Sequence, residues 1–333
     1  MQGLVTVFGG SGFVGSQVVR ALARKGSRVR VAVRNPGRGY RLRMLGDVGQ
    51  VEVVQANIHD APSIERALDG AEACVNAVAV LYERGRQRFQ ALHVDGARAV
   101  AEASRTVGVE RFVQISALGA SAASPSLYAR TKAAGEAAVR DVTASAVILR
   151  PSVVFGPEDH FFNRFAEMAT ISPVLPLIGG GHTRFQPVYV GDVGRAVAQA
   201  VWDPGAAGVD YELGGPGVYT FEALMKLVLA EIQRRRLLLP ISFRAASLLG
   251  RAGDLMAMTP LAPPITTDQV ALLRSDNVVS AGAPGLVDLG VTPTALEAVV
   301  PGYLWRYRTG GQYAADLQSI PIKANYASGG GPA

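Results

Sequence analysis

The sequence predicts a doubly wound, parallel α/β sheet with a smaller C-terminal α/β lobe, and three observations carry that expectation. Short apolar segments of strand length alternate with helix-length segments throughout the first half of the chain. The strand segments are continuous apolar runs, the pattern of a sheet covered on both faces. The first of them leads directly into a glycine-rich turn that opens a helix, the start of a βαβ series.

"LVTVF" (4–8) reads as the first buried strand, and "FVGSQVVRALARKG" (13–26) as a helix closed by Gly26. "RVRVAV" (28–33) follows, broken by Asn-Pro-Gly at 35–37. "VEVVQAN" (51–57), "ACVNAV" (73–78), "RFVQIS" (111–116) and "SAVILR" (145–150) continue the strands, with helices expected near 62–69, 87–107 and 125–142. After Pro151 the rhythm changes. Proline and glycine become dense and helical pieces predominate, such as "TFEALMKLVLAEIQRRR" (220–236). The expected division is a nucleotide-binding domain over 1–150, a smaller lobe interleaved with it over 151–315, and a disordered tail over 316–333.

The 333 residues suit one large domain or two joined ones, and 49% hydrophobic with 18% charged residues is ordinary for a globular chain. The formal charge is +6, concentrated in a block from Arg20 to Arg43 that contains no acid. Such a block suits a phosphate, a lipid surface, nucleic acid or an acidic protein face; a solvated helix face is the alternative. Nucleic acid is not expected as a partner, because no binding module is recognisable and Tyr40 is the block's one aromatic. The single cysteine, Cys74, excludes an intrachain disulfide and a cysteine-cluster metal site. His59, His93, His160 and His182 are scattered, which points to turns or helix caps rather than a metal centre. No apolar stretch approaches the roughly 20 residues of a membrane-spanning helix. With the first strand beginning near Leu4, the expectation is a cytoplasmic protein or a trimmed mature form.

"VFGGSGFVG" (7–15) carries the first chemistry. Glycines let the backbone turn tightly against a pyrophosphate, and a helix amino end supplies free N–H groups. Gly9, Gly12 and Gly15 form one register, with Ser11, Phe13 and Val14 lining the turn; Gly10 and Gly12 offer a second. This is the Rossmann dinucleotide fingerprint in its required context. NAD readers place an acid at the end of the second strand, on the ribose hydroxyls. Here Arg34 stands there, with Arg38 and Arg41 behind it, so NADP(H) is expected. Asn57 and Ile58 are expected at the adenine, and Ala77, Val78 and Ala79 on the ribose side.

In "YARTK", Tyr128 and Lys132 share a helix face, and Ser116 ends the preceding strand. An ammonium near the phenol is expected to lower its pKa, letting tyrosine exchange a proton with a carbonyl or alcohol that the serine positions. A tyrosine and lysine in this arrangement also simply bind ribose and nicotinamide.

With "GGSGFVG", "VAVRNP", "QANIHD", "VNAVAV", "QISALGA", "YARTK" and "LRPSVVFGPED" in order, the chain resembles the extended and atypical short-chain dehydrogenase/reductase superfamily. Through that resemblance Pro151 and Val154 flank the nicotinamide, and Asp192 in "FQPVYVGDVGRAVAQAV" caps a helix. "ILRPSVVFGPEDHFFNRFAEMA", "PVLPLIGGGHTRFQPVYVGDV", "YELGGPGVYTFEALMKLVL", "DQVALLRSDNVVS" and "PGYLWRYRTGGQ" resemble one branch. That branch is the nucleotide-binding accessory subunits of respiratory complex I, the alpha-subcomplex subunit 9 type of NADH:ubiquinone oxidoreductase. The resemblance covers about residues 1 to 315. It implies a tightly held NADPH that is not turned over and a structural, assembly or stability role. Its implied partners are other complex I subunits at the junction of peripheral arm and membrane, with peripheral membrane contact. The implied location is the cytoplasmic face of a bacterial inner membrane, or the matrix face in a mitochondrion. Residue chemistry alone points instead to an active NADP-dependent reductase or epimerase acting on a small carbonyl compound or nucleotide sugar. A nucleotide-sensing regulator is the third reading. Two further stretches have open roles. "RRRLLLPISFRAASLLGRAGDLMAM" (234–258) reads either as a docking or membrane-surface helix pair or as lobe core, and "PGYLWRYRTGGQY" as an anchoring tail.

Overall fold

The computed structural model describes residues 2–257, 259 and 263–313, so the expected tail over 316–333 lies outside the described residues. The first half folds as β1 (Gln2–Phe8), α1 (Phe13–Arg24), β2 (Ser27–Val33), β3 (Val51–Gln55), α2 (Ala61–Leu68) and β4 (Ala73–Asn76). A π-helical turn (Gln90–Asp95) then leads into α3 (Gly96–Thr106), β5 (Arg111–Ile115), α4 (Leu127–Val142) and β6 (Val147–Pro151). The second half runs β7 (Val154–Phe155), α5 (Phe162–Ile171), β8 (Val174–Ile178), β9 (Arg184–Phe185), β10 (Val188–Tyr189), α6 (Val190–Ala200) and β11 (Asp210–Leu213). It ends with β12 (Tyr219–Thr220), α7 (Phe221–Glu231), β13 (Leu237–Ile241), α8 (Phe243–Ala257), α9 (Thr267–Leu272) and α10 (Pro301–Leu304).

Seven strands form the main sheet in the order β11-β6-β5-β4-β1-β2-β3, every pairing parallel. The chain winds outward from β1 to β3 and returns to β4 on the other side of β1. Strand order therefore reverses between β1 and β4, the crevice where such sheets bind ligands. Two apolar cores explain the unbroken strands. Val5, Val7, Val29 and Val31 pack under α1 and α6 on one face. Phe8, Cys74 and Phe112 pack under α2, α3 and α4 on the other. The second half thus lends α6 and β11 to the first sheet. α1 and α6 meet at backbone distance, since a Cβ on Gly194 would lie 2.6 Å from the Gln17 carbonyl oxygen.

The rest of the second half forms a lobe on a third core. Phe161, Phe162, Phe165, Phe185 and Phe221 meet largely edge-on there, with ring centroids 5.1 to 6.3 Å apart. Buried Asp159 organises one end. Its carboxylate accepts from the amides of Gly156 (3.1 Å), Phe161 (3.0 Å) and Asn163 (3.1 Å) and from the Tyr303 hydroxyl (2.6 Å).

Several expectations change here. The helix expected over 220–236 ends at Glu231, because Gln233 takes a left-handed φ of 53° and the chain becomes extended. Arg234 and Arg236 then donate to the carbonyls of Tyr307 (3.1 Å) and Ala169 (2.8 Å), so these two serve the lobe. The segment from Pro301 to Arg308 is no anchoring tail: Tyr303 and Leu304 are buried, and Arg308 reaches the Glu231 carbonyl at 2.6 Å. Asp192 lies within the first turn of α6 and makes no cap hydrogen bond. Its buried carboxylate accepts from the Thr294 amide (2.6 Å) and pairs with Arg195 (2.6 Å), fastening the later loop to α6. α8 turns its small residues inward. A Cβ on Gly253 would fall 1.8 Å from the Ile265 carbonyl oxygen, whereas Leu248 and Leu255 are 64% and 69% exposed. Among the described residues no helix is long and apolar enough to cross a membrane.

Candidate nucleotide site

The expected site residues lie on the loops after the strands and on the opening turns of α1 and α4, and the glycine turn is built first. Gly9 has a φ of 76°, and a Cβ there would stand 2.9 Å from the Ala77 carbonyl carbon and oxygen. The turn after β1 thus abuts the loop after β4. A Cβ on Gly15 would lie 2.2 Å from the Gly9 oxygen, and one on Gly10 would lie 2.6 Å from Val31 Cγ1. These three glycines are demanded by the protein itself. Gly12 is different. It is exposed, and its Cβ would meet nothing closer than the Gly9 oxygen at 3.3 Å. Ser11, Phe13 and Val14 are half-buried beside it. α1 begins at Phe13 with no side-chain cap and no acid in its first turn, so its positive end faces outward. An open cradle free of Cβ atoms at a bare helix amino end fits a pyrophosphate. Gly9 and Gly15 thus frame the turn, Gly12 opens to solvent, and Gly10 packs against Val31.

Arg34 is exposed immediately after β2, and Asn35 turns the chain by accepting from the Gly37 amide at 3.1 Å. Asn57 is exposed after β3, its Oδ1 accepting from the His59 amide at 3.2 Å. Ile58 is buried and its Cδ1 fills the space over Gly96, leaving its backbone for any ligand. Ala77 and Val78 are half-buried and Ala79 exposed along the loop that meets Gly9. The Leu118 amide donates to the Pro151 carbonyl at 2.9 Å, which ties the loop carrying Ser116 to the end of β6, where Val154 is half-buried.

Ser116, Tyr128 and Lys132 converge where β5 meets α4. Ser116 is buried, and its Oγ has no hydrogen-bond partner among the described residues. A buried orphan hydroxyl costs about 1–3 kcal/mol, a cost that a bound ligand's polar atom removes. Lys132 is buried and donates to the Ile115 carbonyl at 2.8 Å. Burial draws its ammonium down to about 8, against the pull of Glu136. Glu136 is itself held in a two-point pair with Arg150 at 3.0 and 2.6 Å, and Arg150 reaches Asp210 at 2.8 Å. Tyr128 moves opposite to expectation. Burial, and then the Asp268 carboxylate, push its phenol up to about 12, so at neutral pH it is a proton donor.

Two residues of the site had no such role in the sequence reading. His93 occupies neither a loop turn nor a helix cap: it is buried inside the π-helix over Gln90–Asp95, stacks on Phe89 at 5.2 Å and meets Tyr128 edge-on at 5.4 Å. Its Nε2 accepts from the Val80 amide at 3.2 Å, which assigns the ring proton to Nδ1, facing Thr131 Oγ1 at 3.1 Å. Burial and the nearby Lys132 charge pull it down to about 3, so the ring is neutral. Asp268, from α9, accepts from Ser126 Oγ (2.8 Å) and from the amides of Leu127 (2.6 Å) and Tyr128 (3.2 Å). Glycine spacing and the Tyr-x-x-x-Lys pair signal themselves locally; these two reach the site through contacts with α4 that are distant in sequence. Among the described residues no group of three His, Cys, Asp or Glu side chains could hold a metal ion.

The turn at the strand switch, the strand-end serine and the helical tyrosine and lysine thus lie around one crevice, at the place where parallel α/β sheets bind their ligands. The chain belongs to the NAD dependent epimerase/dehydratase family, which matches residues 5–214. Within it, the chain groups with the alpha subcomplex subunit 9 proteins. It is 37% identical over 308 residues to mouse (Mus musculus) "NADH dehydrogenase [ubiquinone] 1 alpha subcomplex subunit 9, mitochondrial", covering 92% of this chain and 81% of that protein. A second relative, the "Ceramide reductase" of Caulobacter vibrioides, is 39% identical over 177 residues, 53% of this chain and 54% of that one. Among solved structures, the NADPH complex of the quinone oxidoreductase QOR2 from Escherichia coli superposes with a TM-score of 0.71 at 19% identity. That alignment covers 90% of this chain and 99% of QOR2, a likeness of fold.

Proposed function

We propose that this chain is an accessory subunit of respiratory complex I that holds NADPH without turning it over and supports the assembly or stability of the enzyme. The observation that carries this reading is the similarity to the mouse complex I subunit along 92% of the chain, well past the end of the family match at residue 214. NADPH is favoured over NADH because Arg34, a cation, stands where an acid would grip the ribose hydroxyls. When bound, the reduced nicotinamide supplies a hydride. Of the chain's own residues, Gly12 and the amino end of α1 receive the pyrophosphate, and Lys132 and Tyr128 bind ribose and nicotinamide between Ala77–Ala79 and Pro151–Val154. Asn57 and the Ile58 backbone meet the adenine.

Peripheral contact with the cytoplasmic face of a bacterial inner membrane rests on the outer face of the lobe. Leu248 and Leu255, both largely exposed, line one face of α8 together with Arg244 and Arg251. An apolar face edged by cations suits an anionic lipid surface at the junction with the peripheral arm. Affinity purification of the tagged chain from its native membrane tests the assignment: other complex I subunits co-purify with it, and recovery of the chain alone refutes it.

A second reading, an active NADP-dependent reductase, is favoured by the orphaned Ser116 hydroxyl, which can receive a carbonyl oxygen beside a protonated Tyr128. It predicts NADPH oxidation by carbonyl compounds that Tyr128→Phe abolishes.

A further inference from the structure

We propose that Asp268 is a positioning residue of the nucleotide site: from the second half of the chain it seats the amino end of the Tyr128 helix and cancels the positive end of that helix's dipole beneath Tyr128. The inference rests on the nucleotide-holding reading and deepens it, because it assigns the control of Tyr128 to a residue outside the dinucleotide-binding half.

The geometry is specific. The cap residue of α4 is Ser126, whose Oγ accepts from the Ala129 amide at 3.2 Å. Asp268 Oδ2 accepts a hydrogen bond from that same hydroxyl at 2.8 Å and from the Tyr128 amide at 3.2 Å, while Oδ1 accepts from the Leu127 amide at 2.6 Å. One carboxylate thus satisfies the first two helical amides and orients the cap. The amino end of a helix carries about half a positive charge, which left bare would favour an anion formed on its first turn. A full negative charge bonded to that end reverses the preference.

Asp268 is itself fixed. Thr266 and Gln269 close a capping box on α9, and the Thr267 amide donates to Asp254 Oδ1 of α8 at 3.1 Å. α8 and α9 touch at backbone distance, since a Cβ on Gly250 would lie 2.8 Å from Thr267 Cα. The charged group acting on Tyr128 is Asp268 from α9; Lys132, one turn further along α4, donates to the Ile115 carbonyl, and His93 from the π-helical turn faces Tyr128 as a neutral ring. Tyr128 is thereby kept as a donor, so the site resists the phenolate that proton abstraction would need.

The test uses the full-length protein with a fluorinated tyrosine at position 128, whose more acidic phenol titrates while the protein is folded, followed by fluorine NMR without nucleotide. Asp268→Asn removes the charge and keeps an acceptor; Asp268→Ser does the same with a shorter side chain. The titration midpoint of position 128 falls by about one pH unit in both variants. A midpoint that is unchanged or raised in a folded variant overturns the proposal. So does loss of folding in both, which would make the residue structural alone. NADPH retention by the wild-type chain is measured separately. If it fails, the holding reading falls while the titration still decides the role of Asp268.

Discussion

Gly12→Ala and Gly15→Ala separate what the fold needs from what the ligand needs. At Gly12 the backbone has φ −79° and ψ 174°, open to any residue, and the added Cβ meets only the Gly9 oxygen at 3.3 Å. Alanine is the poorer helix cap, by about 0.5–1 kcal/mol. It also removes unfolded-state entropy worth about 0.4–1 kcal/mol in the other direction. The two nearly cancel, so the nucleotide-free stability of Gly12→Ala stays within about 1 kcal/mol of wild type. At Gly15 the Cβ would lie 2.2 Å from the Gly9 oxygen and 2.8 Å from Gly10 Cα, both backbone atoms that cannot rotate away. Overpacking of that kind costs about 1–3 kcal/mol or more. Ligand linkage supplies the second axis: NADPH at about one hundred times its Kd stabilises the wild-type chain by about 2.7 kcal/mol. Thermal unfolding with and without NADPH reads both. Gly12→Ala melts like wild type without nucleotide and gains nothing from it, whereas Gly15→Ala is destabilised before any nucleotide is added. A Gly12→Ala protein stabilised by NADPH as fully as wild type would refute the cradle.

Three further outcomes follow from the same geometry. Arg34→Ala weakens NADPH binding by roughly tenfold to a hundredfold, the worth of a charge-assisted hydrogen bond, and leaves NADH binding nearly unchanged; parallel titrations check it. His93 binds its proton more weakly in the folded chain than in the unfolded one, so its contribution is fully present above pH 6.5 and is lost as pH falls towards about 3. His93→Gln should therefore lose less stability than wild type between pH 7 and 5, by on the order of 1–2 kcal/mol in denaturant melts. Leu248→Glu with Leu255→Glu leaves the melting temperature unchanged, because both side chains are largely exposed, and abolishes flotation with anionic vesicles while sparing nucleotide binding.

What was legible in the sequence was local. The glycine turn, the buried strands from β1 to β6 and the face shared by Tyr128 and Lys132 are each written within a few consecutive residues. β11 escaped notice because "DYEL" is short, partly polar and flanked by glycine, and becomes a strand only through its pairing with β6. The stretch over 234–258 stayed open between a surface helix pair and lobe core for a related reason. A helix whose glycines face inward and whose leucines face outward has an ordinary apolar periodicity, and only the contact with α9 reveals which side is buried. His93 and Asp268 share that character. One looks like any helical histidine and the other like any first-turn acid, and both gain their meaning from α4, which the fold brings beside them. The pull on Tyr128 was misjudged because the lysine was visible in sequence and the opposing carboxylate, 140 residues away, was not.

The most direct test is the nucleotide itself. Complex I isolated from the native membrane, driven through turnover with NADH and quinone and then denatured, should release NADPH in amounts equal to this chain, still reduced. Recovery of NADH, of oxidised NADP, or of no nucleotide would contradict the account.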